Sequence, residues 1–197
     1  AFQDGFENVW RGAAENDAFN KLILGARLDW RQVGMLRGYC KYLLQTGVSF
    51  SQSYMEETLN RYPAIAGLLV ELFEAGFDPA RETADAAVLA SARDRLASEL
   101  GILVAPDLQK AHPHFVDDLV AARSRPRAEQ IVALVAAIKV LLEGVASLDE
   151  DRILRAYLGV IGATLRTNYF QLHDGRPAPY VSFKFDSTGA RRFADAT

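Results

Sequence analysis

Apolar residues recur at helical intervals along nearly the whole chain, and they alternate at strand spacing only once, over Tyr180–Phe185. The clearest pattern is Ser147–Gln171, which reads as one long helix. Leu154, Tyr157, Leu158, Ile161, Leu165 and Leu172 share one face there, with Ile153 and Val160 widening it. Ser147 and Glu150 have capping-box spacing, and Asp149, Glu150 and Asp151 sit in the first turn, where the helix dipole favours carboxylates. The opposite stripe is less ordinary: Arg155, Gly159, Gly162 and Arg166 align on it, with Arg152 beside them. An interior glycine costs about 1 kcal/mol relative to alanine, so two between arginines point to another backbone approaching this face. The alternative is a solvated basic stripe with tolerated glycines. Asn168 lies on the apolar side instead, where its amide is expected to fix a neighbouring loop.

The rest of the chain continues the helical theme. Phe6, Val9, Trp10, Phe19, Leu22 and Ile23 carry helical spacing over Phe6–Leu28, with a polar break at Glu15-Asn16-Asp17 that could cap a second helix. Asp29 and Gln32 form a second capping-box pair, and Gly47 stops the helix that follows. Ser51–Arg61 predicts a short helix, and Pro63 suits the first turn of the next, which runs to Gly76. Ala80–Leu100 is Ala-rich, with Val88, Leu89, Ala92 and Leu96 on a face and Gly101 closing it. Pro106–Pro126 reads as connectors, and Arg127–Gly144 as a strong helix. The expected fold is therefore mainly α, a multi-helix antiparallel bundle with a short β segment near the C-terminus. A lone strand is unstable, so its partner must lie in another chain, in another part of the native protein, or in Arg191–Thr197.

Composition narrows the function. The chain has 197 residues, 50% hydrophobic and 24% charged, with a formal net charge of −3, an ordinary globular balance that argues against a nucleic-acid partner. No apolar run approaches the roughly 18 residues of a membrane span, and no leader is visible, so a cytoplasmic location is expected. Cys40 is the lone cysteine and sits on an apolar face, as a buried inert thiol would. His112, His114, Asp117 and Asp118 have metal-ligating chemistry, but the proline between the histidines and the missing third imidazole make a polar turn the better reading. The Arg123–Arg127 cluster reads as a solvated turn. Neither GxGxxG nor GxxxxGK[ST] occurs, nor a nucleophile elbow or HExxH. The chain opens at Ala1-Phe2 without a methionine and closes just after a strand-like segment, as an excised piece would.

Two blocks carry a resemblance. Phe6–Pro79 contains WRG, ENDxFN, LxWRxV, LRxYxKYLxQ, FSQ and LFxxxFDP; Ser147–Gln171, followed by YVSFKFD, contains LDEDRIL and TLRTNYFQ. Together they resemble the large bacterial NAD-dependent glutamate dehydrogenases over more than half of the chain. Between Pro79 and Ala146 the sequence departs from that pattern, as a variable connection or subfamily insertion would. The resemblance implies a homo-oligomeric parent enzyme that oxidatively deaminates L-glutamate to 2-oxoglutarate and ammonia while reducing NAD. It implies that residues 1–172 form a helical domain and residues 173–197 the start of the catalytic domain, between ACT-like regulatory domains and the dehydrogenase domain. The substrate-binding lysine and the Rossmann half would lie beyond Thr197. No catalytic, cofactor-binding or metal-binding residue is therefore assigned here, and NAD belongs to the parent alone. The expected partner is the dehydrogenase domain of the same chain, with no nucleic acid and no membrane. Arg152, Arg155, Gly159, Gly162, Arg166 and Asn168 are the expected interdomain or subunit contacts. A non-catalytic helical regulatory or oligomerisation module is the second reading.

Overall fold

A computed structural model describes residues 2–83, 90–91, 94–96, 98, 101, 104, 106–178 and 180–186. Among them the helices are α1 (Phe2–Trp10), α2 (Leu22–Gly25), α3 (Trp30–Gln45), α4 (Gln52–Arg61), α5 (Pro63–Phe77), α6 (Ala80–Thr83), α7 (Pro106–Ala111), α8 (Phe115–Ala122), α9 (Arg127–Leu142) and α10 (Leu148–Gly162). A 3-10 turn, Ala18–Lys21, precedes α2. The strands are β1 (Thr164–Thr167), β2 (Leu172–His173), β3 (Arg176–Pro177) and β4 (Phe183–Phe185). The fold is mainly α, as the periodicity indicates.

Local signals set most helix ends. The Asp29 carboxylate accepts from the N–H groups of Arg31 and Gln32, both at 2.8 Å, and the Gln32 side chain accepts from Asp29 N–H at 2.8 Å. That reciprocal box satisfies N–H groups the helix itself cannot use. At the other end of α3, Gly47 takes a left-handed φ of 88°, a conformation costly for any residue with a Cβ. Pro63 opens α5, where its missing N–H costs nothing. α5 then buries Ile65, Leu68, Leu69 and Phe73 and packs against α4, α9 and α10, so the core gathers around it.

Several expectations change. The helix expected over Ser147–Gln171 stops at Gly162, and Thr164–Thr167 is extended. β1 pairs antiparallel with β4, in the register Thr164↔Phe185, Arg166↔Lys184 and Thr167↔Phe183. The strand's partner thus lies within this chain, in a stretch read as helix; the Arg191–Thr197 tail lies outside the described residues. Leu165 and Leu172, expected on the apolar helix face, are exposed. The capping box at Ser147 is half made. Ser147 Oγ accepts from Glu150 N–H at 3.4 Å, but the Glu150 carboxylate turns inward, taking the Tyr62 hydroxyl at 2.8 Å and pairing with Arg61. A buried carboxylate needs such donors more than the exposed helix end does.

The stretch expected as connectors holds α7 and α8, and its arginines are not a solvated turn. Arg123 donates to both Glu71 carboxylate oxygens, at 3.0 and 2.9 Å, and Arg127 donates to the carbonyls of Gly76 and Asp78, closing the end of α5. Arg81 bridges Glu71 and Glu74, each at 2.8 Å, while Gln32 donates to Glu74 at 2.7 Å. Burial, reinforced by Glu71, raises the Glu74 carboxyl against these donors. Of the Ala80–Leu100 helix, α6 and residues 90–91, 94–96 and 98 are described, with Leu96 buried; Val88, Leu89 and Ala92 lie outside the described residues.

Two helix glycines give a direct test of packing. A Cβ added at Gly67 in α5 would meet nothing within 4 Å, whereas one at Gly38 in α3 would lie 3.0 Å from the ring of Phe183. Gly67→Ala is expected to raise unfolding free energy by about 1 kcal/mol. Gly38→Ala is expected to give no gain, because Phe183 must yield; urea denaturation of both variants checks the contrast.

Candidate domain-joining site

The two blocks singled out in the sequence meet along α3. Tyr39 is fully buried and stacks on Phe183 with ring centroids 4.5 Å apart, and Tyr42 stacks on Phe185 at 3.9 Å. Phe73 of α5 meets Tyr169 edge-on at 5.2 Å and stacks on Phe170 at 5.9 Å. The alternation that made Tyr180–Phe185 look like a strand places Phe183 and Phe185 on one side, and that side faces the helices. Such aromatic pairs add about 0.5–1.5 kcal/mol each beyond the area they bury.

Polar contacts fix the register of this seam. The Tyr39 hydroxyl lies 2.8 Å from Thr164 Oγ1, which itself donates to the Val160 carbonyl at 3.0 Å, so Tyr39 is the donor of the pair. Arg31 donates to the Tyr169 carbonyl at 2.6 Å, with its guanidinium 4.8 Å from the centre of the Tyr169 ring. Asp186 N–H donates to the Ala163 carbonyl at 2.9 Å, tying the end of β4 to the end of α10. Asn168, expected on the apolar side of a helix, instead lies half-buried beyond β1 and closes the loop between. Its amide donates to the Tyr180 carbonyl at 3.1 Å and accepts from Ser182 N–H at 2.7 Å.

The α3 side of the seam is braced from behind. Arg37 is 5% exposed and donates to Asp17 at 2.6 and 2.8 Å and to Asn20 at 3.0 Å. Asp17 also caps the 3-10 turn by accepting from Phe19 N–H at 3.1 Å. The ENDxFN motif thus holds the arginine of the LRxY motif. Cys40, on the inner face of α3, is buried beside the Tyr157 hydroxyl, and burial pushes its thiol up to about 11. A thiol held protonated there is inert.

The structure partly separates the expected contact stripe. Arg155 pairs with Asp151 at 2.7 Å, and Arg152 lies 3.6 Å from Asp149, both along the exposed side of α10. Gly162 is exposed, and a Cβ there would meet nothing within 4 Å. Arg166 leaves the stripe, because it sits in β1 opposite Lys184. His112 faces Glu143 at 3.4 Å, and among the described residues no three His, Cys, Asp or Glu side chains form a metal-binding group. None of the described helices is long and apolar enough to cross a membrane. Sequence periodicity placed Tyr39 and Phe73 on apolar helix faces and Phe183 in a strand, and the motifs contained Tyr42 and Tyr169, but nothing in the sequence showed that these residues meet. Their signal was the aromatic content shared by the YxKY, TNYF and SFKF stretches.

Both sides of the seam have counterparts elsewhere. Residues 14–79 match the family described as glutamate dehydrogenase, helical motif 3, and residues 137–195 match the bacterial NAD-glutamate dehydrogenase catalytic domain. NAD-specific glutamate dehydrogenases from Halomonas elongata and Pseudomonas aeruginosa are each 38% identical, over 94% and 93% of this chain. The NAD-specific glutamate dehydrogenase of Mycobacterium tuberculosis is 38% identical over 88% of it. The chain spans 8–9% of the length of these relatives. No solved structure matches it significantly.

Proposed function

Because the chain resembles NAD-specific glutamate dehydrogenases over most of its own length, we propose that it is a helical segment of such an enzyme, seating the start of the catalytic domain. The parent oxidatively deaminates L-glutamate to 2-oxoglutarate and ammonia with reduction of NAD, in the cytoplasm and as a homo-oligomer. The observation that carries this reading is the aromatic seam, in which Tyr39, Tyr42 and Phe73 from one matched region hold Tyr169, Phe183 and Phe185 from the other. A catalytic domain must hold its reacting groups within fractions of an ångström, and a rigid neighbour contributes to that.

The residues of this chain do not fit a dinucleotide cradle, since no GxGxxG turn occurs at any point in the sequence. No step of hydride transfer is assigned to them. The segment's contribution is support, and its α10 stripe of Arg152, Arg155, Gly159 and Gly162, of which Arg155 and Gly162 are exposed, with Arg166 and Asn168 beyond its end, is the face for the dehydrogenase domain or a neighbouring subunit.

Two measurements test this. Calorimetry of the chain with NAD is expected to be flat, and saturable micromolar binding would refute the assignment of coenzyme binding to the rest of the parent. In the full-length enzyme, Gly159→Leu is expected to impair assembly or activity while leaving the melting temperature of this segment nearly unchanged. Full activity together with a lower melting temperature would show that the stripe packs inside the bundle.

A further inference from the structure

A cleft of about 650 Å³ opens between α3, the loop at residues 12–15 and Pro177, Ala178, Val181 and Phe183. That volume falls within the roughly 300–1,000 Å³ typical of small-molecule sites. Trp30 and Phe183 contribute aromatic lining and Val181 an aliphatic side chain, and Gly34 of α3 lines the cleft without a side chain. A Cβ built on Gly34 would meet nothing within 4 Å, so the glycine leaves space that this chain does not fill.

Three cations line the cleft, and their charges are not equally compensated. Arg37 is neutralised by Asp17, and Lys41 pairs with Glu15, another lining residue. Arg31 is different. Its carbonyl and ring partners on Tyr169 are both neutral, and among the described residues no carboxylate pairs with it. The carbonyl contact holds the fork in place while leaving further N–H donors, a preorganised arrangement suited to a carboxylate.

We propose that this cleft binds a small monocarboxylate with a flat apolar body, its carboxylate on Arg31 and its body between Trp30 and Phe183 over Gly34. The site is independent of the dehydrogenase reading, since it uses only groups on this chain. One uncompensated guanidinium selects a single negative charge, and the aromatic lining selects the apolar body.

The test titrates the 197-residue chain with 3-phenylpropionate, using its neutral amide and inorganic sulfate as comparison probes. Saturable one-to-one binding in the millimolar range or tighter is expected, at least tenfold weaker for the amide and for Arg31→Gln. Because Arg31→Gln also loosens Tyr169, a second variant separates binding from folding. Gly34→Leu should fill the space at Gly34 and abolish binding, with the melting temperature unchanged or raised, since the site is open and glycine is a poor helix former. Absence of saturable binding, equal binding of the amide, sulfate binding as tightly as the carboxylate, or binding that survives Gly34→Leu would each overturn the proposal.

Discussion

Tyr39→Ala is expected to destabilise the chain by about 3–5 kcal/mol, the cost typical of deleting a buried aromatic ring from a packed core. Tyr39 is completely buried and touches three aromatic neighbours, with centroids at 4.5 Å to Phe183 and 6.1 Å to both Phe73 and Phe185. Truncation removes the ring on which β4 rests and leaves Thr164 without a donor. Tyr39→Phe separates the two contributions, since it keeps the ring and removes only the hydroxyl. Its loss should be about 1 kcal/mol, the net value of one buried neutral hydrogen bond. Urea denaturation measures both. A Tyr39→Ala loss below that of Tyr39→Phe would mean that the seam contributes little and that β4 is held by its strand pairing alone.

Arg37→Leu is expected to cost a comparable 3–5 kcal/mol for a different reason. Breaking a buried ion pair from one side leaves the other charge desolvated and unpaired. The Arg37 and Asp17 side chains are 7% and 13% exposed, so water cannot readily replace the lost partner. Asp17→Asn should cost less, because asparagine keeps an oxygen to cap Phe19 N–H and leaves no orphaned carboxylate. In the double variant Asp17→Asn with Arg37→Leu, the loss should fall below the sum of the single losses, since the charge that Arg37→Leu strands is then absent. Strict additivity would show that the two side chains act independently and that the loss at Arg37 comes from packing against Phe19.

The sequence made the locally determined features legible. The Asp29–Gln32 box, Pro63 and Gly47 each act within a few residues, so the chain around them contains all the information needed. What it concealed depends on partners far along the chain. Thr164–Thr167 carries a pattern that suits a helix, and it becomes a strand because Phe183–Phe185 supplies a ladder and Tyr39 a hydrogen bond. Arg123 and Arg127 look solvated beside their own neighbours, yet their acceptors are on α5, about fifty residues earlier. Phe6 and Trp10 show the reverse. Their spacing is helical and α1 forms, but the two rings stack on each other at 6.2 Å and remain exposed, because it is Gly5 that meets Ile23. The family resemblance singled out the motifs, and only the packing shows that Arg31 and Tyr39 of one block hold the aromatic residues of the other, with Arg37 bracing α3 from behind.

The central claim is that this helical segment supports a glutamate dehydrogenase by seating its catalytic domain on α3. The most direct measurement is glutamate-dependent NAD reduction by the full-length parent polypeptide carrying Phe183→Ala, which removes the ring under Tyr39. The account predicts an active parent and a variant with activity reduced at least tenfold, about the effect of a catalytic constellation displaced by fractions of an ångström. A parent without glutamate-dependent NAD reduction, or a variant as active as the parent, would contradict it.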